Sequence, residues 1–113
     1  MRKVKKPWGC EDIWAYTDKY IGKILTINPG HRLSLQYHQK KDETVYVLEG
    51  KLIVWFSKNE KDKVTYHPGT TYHVEPGKIH RFGAPEGDTP TRLIEVSTPE
   101  IDDVIRLEDD YKR

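Results

Sequence analysis

Four polar side chains have the types and the spacing of a metal site. Gln36 and His38 are two residues apart, Glu43 follows five residues later, and His80 comes just after a Pro-Gly turn at 76–77. Two neutral imidazoles, a carboxylate and an amide oxygen form a mixed ligand set that suits a divalent first-row metal. The competing interpretation is a solvated strand face, and spacing alone leaves both open. His31, His67 and His73 are weaker candidates, because each lies in or beside a turn.

Short strands must position these side chains. Turn signals such as Asn28-Pro29-Gly30 divide the chain into runs rich in valine, isoleucine, threonine and aromatic residues. We predict strands at residues 20–27, 33–38, 43–48, 52–56, 63–67, 71–74, 79–82 and 91–96. Many short strands indicate an all-β sandwich or barrel. The one segment with helical apolar spacing is 99–107, where Ile101, Val104 and Ile105 recur.

The alternation within residues 33–38 suggests where the polar side chains point. Leucine and tyrosine occupy one face of this strand, and Ser34, Gln36 and His38 occupy the other. If the sheet packs on a second sheet through its apolar face, the polar row is simply solvated. If the sheet closes on itself, the polar row lines a cavity.

Length and composition exclude several classes of protein. The 113 residues predict one domain over 1–113. With 19 Lys and Arg against 18 Asp and Glu, the net charge is +1, without the basic excess of a nucleic-acid binder. The lone Cys10 excludes an internal disulfide framework. No apolar run approaches the roughly 20 residues that span a membrane, and the start has no secretory pattern, so we expect a cytoplasmic protein without membrane contact.

Two motifs resemble those of the cupin superfamily. Gly30-x5-Gln36-x-His38-x4-Glu43-x6-Gly50 resembles the first cupin motif, with glutamine at the place of its usual first histidine. The second motif is matched by Gly69-x5-Glu75-Pro-Gly-x2-His80. The resemblance narrows to the type II phosphomannose isomerase cupin domain through further segments spread over nearly the whole chain: Lys6-Pro7-Trp8-Gly9, Asn28-Pro29-Gly30, residues 33–38, His80-Arg81, Ile94-Glu95-Val96 and residues 102–111.

This resemblance implies a fold, a metal and an activity. The implied fold is a small cupin-type double-stranded β-helix, a jelly-roll barrel of two antiparallel sheets. The implied metal ligands are Gln36, His38, Glu43 and His80, with zinc as the expected metal and manganese, iron or nickel as alternatives. The implied reaction interconverts mannose 6-phosphate and fructose 6-phosphate through an enediol. A homodimer is also implied, and the aromatic start of the chain (Trp8, Ile13, Trp14, Tyr16) is a candidate interface strand.

The isomerase reaction also needs a base and a phosphate-binding group. For the base the candidates are Lys23, a metal-bound hydroxide, His31 and Glu95, and spacing does not separate them. For the phosphate we favour Arg81 and Arg106, followed by Lys23 and Lys41, which stands where the family commonly has arginine. Alternation with His80 points Arg81 away from a cavity and favours a structural salt bridge, and Arg106 has acidic neighbours that could pair with it. We expect Asp102-Asp103 to be a helix cap.

Two other functions fit the same sequence. The barrel could bind a metal and a sugar or sugar nucleotide without catalysis, since no nucleotidyltransferase domain fits within 113 residues. It could also be a different metal-dependent enzyme, a dioxygenase or an epimerase, because one fold supports many chemistries. Glutamine at position 36 weakens the dioxygenase alternative, since such iron enzymes generally hold the metal with more imidazoles.

Overall fold

Eleven antiparallel strands form two facing layers in the computed structural model, which describes residues 2–111. Residues 1, 112 and 113 of the predicted domain lie outside the described residues. The strands are β1 Arg2–Lys6, β2 Gly9–Tyr16, β3 Ile21–Ile27, β4 Leu35–Tyr37, β5 Glu43–Glu49, β6 Leu52–Trp55, β7 Lys63–Tyr66, β8 Thr71–Val74, β9 Arg81–Gly83, β10 Thr91–Ser97 and β11 Ile105–Glu108. The all-β prediction is confirmed, and each of the eight predicted strands overlaps an observed one.

One layer is a six-stranded sheet in the order β1-β2-β3-β10-β5-β8. The facing layer consists of the three-stranded sheet β7-β6-β9 and the pair β11-β4. Single bridges, Gln36 to His80 and Arg32 to Gly83, connect β4 and the residues before it to β9, so the two pieces act as one surface. Residues 2–111 contain no helix, and therefore none long and apolar enough to cross a membrane.

Three strands differ from the sequence prediction. β1 was not predicted, and β2 was expected only as a candidate interface strand. The segment 99–107, expected to be helical, makes a turn at 101–102 and then forms β11. The helix prediction is wrong because the second half of this segment finds a partner far away in sequence: Ile105 pairs with Tyr37 and Arg106 with Gln36. A strand ladder with β4 satisfies the backbone groups that a helix would have satisfied locally.

The barrel interior is divided into an apolar part and a charged part. Along β10, Leu93 faces Leu25 and Val47 on the neighbouring strands, whereas Glu95, two residues on, faces Lys23 and Val45. Both positions point inward because side chains alternate along a strand. The apolar part contains buried side chains from both layers: Trp8, Leu25, Ile27, Val45, Val47, Leu52, Val54, Tyr72, Val74, Phe82, Ala84 and Leu93. The charged part contains the predicted metal site.

Residues 98–108, which we call the closing segment, cross one end of the barrel and return along β4. Two ion pairs hold the chain at the end of the closing segment and just beyond it. Arg81 Nη1 lies 2.8 Å from Glu108 Oε1, and Arg32 Nε lies 2.6 Å from Asp110 Oδ2. The closing segment contributes Ile101, Asp102, Asp103, Val104 and Arg106 to the wall of the cavity described below.

Candidate metal centre and its cavity

His38, Glu43 and His80 form a compact buried cluster. One ligand atom from each lies within 4.8 Å of the others. The three residues come from different strands or their ends: His38 follows β4, Glu43 opens β5 and His80 immediately precedes β9. Their relative exposures are 2%, 3% and 0%, so this is an interior polar site and not a solvated strand face.

Backbone carbonyls set the orientation of both imidazoles. His38 Nδ1 donates to the carbonyl oxygen of Asp103 at 2.6 Å, and His80 Nδ1 donates to that of Lys78 at 2.9 Å. A carbonyl can only accept, so each Nδ1 carries a hydrogen and each Nε2 is left to face the cluster. The two Nε2 atoms lie 2.8 and 3.7 Å from Glu43 Oε1.

This arrangement fits a divalent cation. His80 Nε2 is buried and has no hydrogen-bond partner among the described residues. A buried lone pair without a partner is costly, and a metal ion would satisfy it together with the His38 nitrogen and the Glu43 oxygen. Two imidazoles and a carboxylate are ligands that zinc and similar first-row metals accept. The residues therefore could hold a metal.

Gln36 lies next to this cluster on β4. Its backbone pairs with that of His80, and its side chain lines the cavity together with His38. Its Oε1 accepts a hydrogen bond from Ser34 Oγ at 2.7 Å. The structure thus places Gln36 in the same cavity wall as His38, and its role as the fourth ligand remains a prediction.

Burial and charge together determine the protonation of this interior. Burial alone would raise the pKa of Glu43, but the charge of Lys41 and the hydrogen bond from His38 outweigh it and lower that pKa to about 2. Burial would likewise lower the pKa of Lys41, yet Glu95 and Glu43 raise it to about 12. The pKa of the Glu95 carboxyl is raised, first by burial and then by the charge of Glu43. The pKa of His80 falls to about 4, because burial disfavours the charged ring.

A cavity of ≈ 230 Å³ opens above the cluster. This volume is below the usual range of ligand pockets, about 300–1,000 Å³. Strands β1, β2 and β3, β4 and the closing segment contribute its walls. The lining residues are Arg2, Val4, Lys6, Trp8, Glu11, Ile13, Lys23, Leu33, Gln36, His38, Lys41, Ile101, Asp102, Asp103, Val104 and Arg106.

The predicted substrate residues divide into two groups. Lys23, Lys41 and Arg106 all line the cavity. Arg81 does not: it is 2% exposed, and its guanidinium donates to the carbonyl oxygen of Leu33 at 2.7 Å and pairs with Glu108. The structure therefore gives Arg81 the structural salt bridge that strand alternation favoured and removes it from the phosphate-binding candidates.

The candidate bases are also separated by position. Lys23 Nζ lies 3.1 Å from Glu11 Oε1 and is already ion-paired. His31 is exposed, and its Nδ1 bonds to the carbonyl oxygen of Pro29, away from the cavity. Glu95 is buried beneath the cavity wall, with Oε2 3.1 Å from Lys41 Nζ.

Several cavity residues were missed by the sequence analysis. Arg2 and Lys6 belong to β1, which was not predicted, and Glu11 belongs to β2, which was considered only as an interface strand. Asp103 was expected to cap a helix but instead caps a loop: its carboxylate accepts from the backbone N–H groups of residues 39, 40 and 41 at 2.7–3.0 Å. No local pattern could have revealed this partner, which is more than 60 residues away in sequence.

The chain is similar to large curated enzymes of mannose metabolism. It is 36% identical over 121 residues to a protein of Salmonella typhimurium named mannose-1-phosphate guanylyltransferase ManC, and the match covers 99% of this chain and 23% of that one. The chain spans about a quarter of the length of the curated relatives it matches.

Solved structures show the same fold. A cupin-like protein from Thermotoga maritima has a TM-score of 0.73 at 18% identity, covering 91% of this chain and 78% of that one. A protein from Silicibacter pomeroyi described as a sugar phosphate isomerase from a cupin superfamily has a TM-score of 0.60 at 26% identity, covering 71% and 50%. The expectation of a cupin-type double-stranded β-helix is confirmed.

A family profile covers almost the entire sequence. The family described as mannose-6-phosphate isomerase C-terminal matches residues 1–109. That match, the cupin fold and the buried histidine–glutamate–histidine cluster agree with one another. The chain belongs to the mannose-6-phosphate isomerase C-terminal family.

Proposed function

We propose that this protein is a metal-dependent sugar-phosphate isomerase that interconverts mannose 6-phosphate and fructose 6-phosphate. The observation that carries the proposal is the buried cluster of His38, Glu43 and His80, with a partnerless His80 Nε2, beneath a cavity whose walls carry several cations. Membership of the mannose-6-phosphate isomerase C-terminal family supports the choice of sugar.

A bound metal would polarise the C1 and C2 oxygens of the sugar as a Lewis acid. His38, Glu43 and His80, with Gln36 as the fourth predicted ligand, would hold it. We propose zinc, since the ligands are nitrogen and oxygen atoms; manganese, iron and nickel accept similar sets. Lys41, between Glu43 and Glu95, keeps the Glu43 carboxylate ionised and available as a ligand.

Cations in the cavity wall supply the phosphate-binding group. Arg2 and Lys6 lie on the cavity face of β1, at its two ends, and Arg106 lies on β11. Arg106 and Arg2 are exposed, so a phosphate can reach them without full desolvation. Lys23 and Lys41 are almost fully buried at 4% and 5% exposure, so they lie deeper in the cavity wall than Arg106 and Arg2. We propose that Arg106, with Arg2 and Lys6, holds the phosphate.

The test is isomerase activity measured together with metal content. The purified protein, loaded with zinc or manganese, should convert mannose 6-phosphate to fructose 6-phosphate in a coupled assay. His80→Ala should weaken metal binding by at least about 100-fold and abolish turnover, since it removes a ligand. His73→Ala is the matched control, because His73 is exposed and pairs with Asp42 outside the cluster. Metal binding and turnover unchanged in His80→Ala would disprove the site.

One observation favours a second function. The curated relatives named as guanylyltransferases are about four times as long as this chain, so the matching region is only part of each. As an alternative, the cavity binds a sugar phosphate or sugar nucleotide and the metal without isomerising the ligand. A metal-loaded protein that binds mannose 6-phosphate calorimetrically but turns over no hexose phosphate would support this alternative and disprove the isomerase.

A further inference from the structure

We propose that Glu11 is the catalytic carboxylate that carries the proton between C1 and C2 of the sugar. This inference rests on the proposed isomerase function and adds to it the residue that performs the proton transfer. Glu11 was not among the candidate bases predicted from the sequence, because its part of the chain was considered only as an interface strand.

Glu11 faces the cavity from the middle of β2. Its side chain is 14% exposed, and Oε1 accepts from Lys23 Nζ at 3.1 Å. The other oxygen, Oε2, forms no hydrogen bond within residues 2–111. Glu11 lines the same cavity as Gln36 and His38, and its charge is felt by Lys41 beside the metal cluster. It is therefore a carboxylate of the cavity wall that is held through one oxygen and has no hydrogen bond on the other within the described residues.

The other carboxylates near the cavity already have hydrogen-bond partners, are not held in place or lie outside its wall. Both oxygens of Asp103 accept backbone N–H groups of the 39–41 loop. Asp102 is exposed on a turn, with no hydrogen bond or ion pair of its side chain among the described residues. Glu95 does not line the cavity, and Glu43 belongs to the metal cluster. Glu11 is the remaining carboxylate of the described cavity wall: Lys23 holds one of its oxygens, and the other has no hydrogen bond among the described residues.

The proton transfer balances without any further reactant. A Glu11 oxygen takes the C2 proton of open-chain mannose 6-phosphate, the electrons of the broken C–H bond form the C1–C2 double bond, and the carbonyl oxygen at C1 receives the O2 hydroxyl proton. Glu11 then returns its proton to C1, while the carbonyl forms at C2. Lys23 is a positioning residue in this step: its ammonium fixes the carboxylate and places positive charge beside the negative charge that develops on the enediolate.

The decisive variant is Glu11→Gln, which keeps the shape of the side chain and removes its basicity. We expect kcat to fall by about 100- to 10 000-fold, the usual contribution of a general base. KM and zinc content should stay close to those of the wild type, and the thermal midpoint should fall because the buried Lys23 loses the charge of its ion-pair partner. Asp12→Asn is the matched control, since Asp12 is the next residue on β2, lies on the opposite face and pairs with Lys3; it should retain wild-type kcat.

A second variant separates catalysis from structure. Glu11→Ala should be inactive, and added formate should restore part of its kcat by supplying a free carboxylate in the space left by the side chain. Loss of activity in both variants without any rescue by formate would assign Glu11 a structural role and overturn the proposal.

Different results would overturn the isomerase function and the role of Glu11. If the wild type, loaded with metal, isomerises no hexose phosphate, the proposed function falls and the role of Glu11 falls with it. If the wild type is active and Glu11→Gln keeps kcat within about threefold, the isomerase stands and only the assignment of Glu11 is wrong.

Discussion

His38 and Glu43 face each other through two atoms that would both act as acceptors. His38 Nδ1 holds its hydrogen against the Asp103 carbonyl, so Nε2 presents a lone pair to the Glu43 carboxylate 2.8 Å away. This contact requires a proton or a cation between the two atoms. Burial alone would lower the pKa of His38, but the hydrogen bond and charge of Glu43 outweigh it and raise that pKa above 6.5. Without metal, the proton fills the place that the metal would take.

Zinc binding should therefore depend on pH through one proton. Because the His38 proton must leave before the metal binds, zinc affinity should rise about tenfold per pH unit from pH 5 up to the raised pKa of His38, and level off above it. His80 and Glu43 do not add to the slope, since their pKa values lie at about 4 and about 2. Competition with a chromophoric chelator, corrected for its own protonation, measures the slope. His73→Gln should leave it unchanged, and a slope of zero or two would contradict the assignment.

The metal-free protein should show the opposite trend in stability. A raised folded-state pKa means that the His38–Glu43 pair stabilises the fold fully below the unfolded value near 6.5. That contribution is lost as the pH rises through the pKa of His38, where the ring becomes neutral. The same rise in pH strengthens metal binding.

At the level of single residues, the sequence predicts the candidate ligands but not the groups that orient them. Gln36, His38 and Glu43 lie close together in sequence, and strand alternation alone places the first two on one face. The carbonyls that orient the two imidazoles belong to Lys78 and Asp103, and no residue type is required to present a carbonyl. Glu11 was missed for a related reason: its partner Lys23 is on the adjacent strand, and the pairing register is not visible in the sequence.

The closing segment is the element on which the metal site most depends. Asp103 contributes through two groups: its carbonyl fixes His38, and its carboxylate caps three backbone N–H groups of the loop that leads to Glu43. The pKa of this carboxyl is lowered; burial opposes the shift, and the hydrogen bonds from Lys40, Gln39 and Lys41 outweigh it. Because this pKa is lower in the folded protein, the Asp103 carboxylate stabilises the fold at pH values above its unfolded pKa. That stabilisation is lost as the pH falls through the folded pKa.

Asp103→Asn should thus loosen both the loop and the imidazole. We expect a loss of about 1–2 kcal/mol in stability at pH 7, from weaker hydrogen bonds to a neutral acceptor, and a 10- to 100-fold weaker zinc affinity. The stability difference from the wild type should shrink as pH falls below about 4, where aspartate is protonated in the unfolded chain. Thermal unfolding between pH 3 and 7 measures it. Asp102→Asn, the exposed neighbour, is the control, and an equal effect there would contradict the role of Asp103.

Among the elements, β1 at the edge of the large sheet and β11 near the end of the chain were not predicted. β1 has the sequence Arg-Lys-Val-Lys-Lys, whose charges suit the edge of a sheet but resemble no strand pattern. β11 is preceded by apolar residues at helical spacing, and its strand form depends on β4, about 70 residues earlier. The interior strands were predictable because their own alternation and turns identify them; the marginal strands depend on partners that local sequence does not reveal.

On the whole molecule, the outer face of the six-stranded sheet carries several exposed apolar side chains. Trp14 on β2, Tyr46 on β5 and Val96 on β10 are 47%, 41% and 51% exposed, and the Trp14 ring lies over Gly22, where a Cβ would come within 2.5 Å of it. Several charged groups on this face pair with one another: Asp12 with Lys3, Arg92 with Glu49 and His73 with Asp42. A second copy that covers Trp14, Tyr46 and Val96 would bury mainly apolar side chains and paired charges.

We therefore predict a homodimer through this outer face. Of the aromatic start considered as an interface strand, Trp8 and Ile13 are buried in the barrel, and Trp14 and Tyr16 are exposed. Val96→Glu should weaken dimerisation by at least about 100-fold, because it buries an unpaired carboxylate. Val64→Glu is the matched control, since Val64 is 44% exposed on β7 of the other layer. Light scattering at about 10 µM reports the mass, and a wild-type monomer at that concentration would refute the dimer.

The hydrogen bond from His38 to the Asp103 carbonyl has a consequence for biosynthesis. The two residues are 65 positions apart, so His38 waits for Asp103 long after its own strand has left the ribosome. Until residue 103 has been made, the nascent chain lacks the carbonyl that orients the His38 ring, and we expect metal binding to become tight only once the closing segment pairs with β4. A ribosome-bound chain stalled before residue 103 should retain zinc far less well than a chain whose closing segment has left the ribosome.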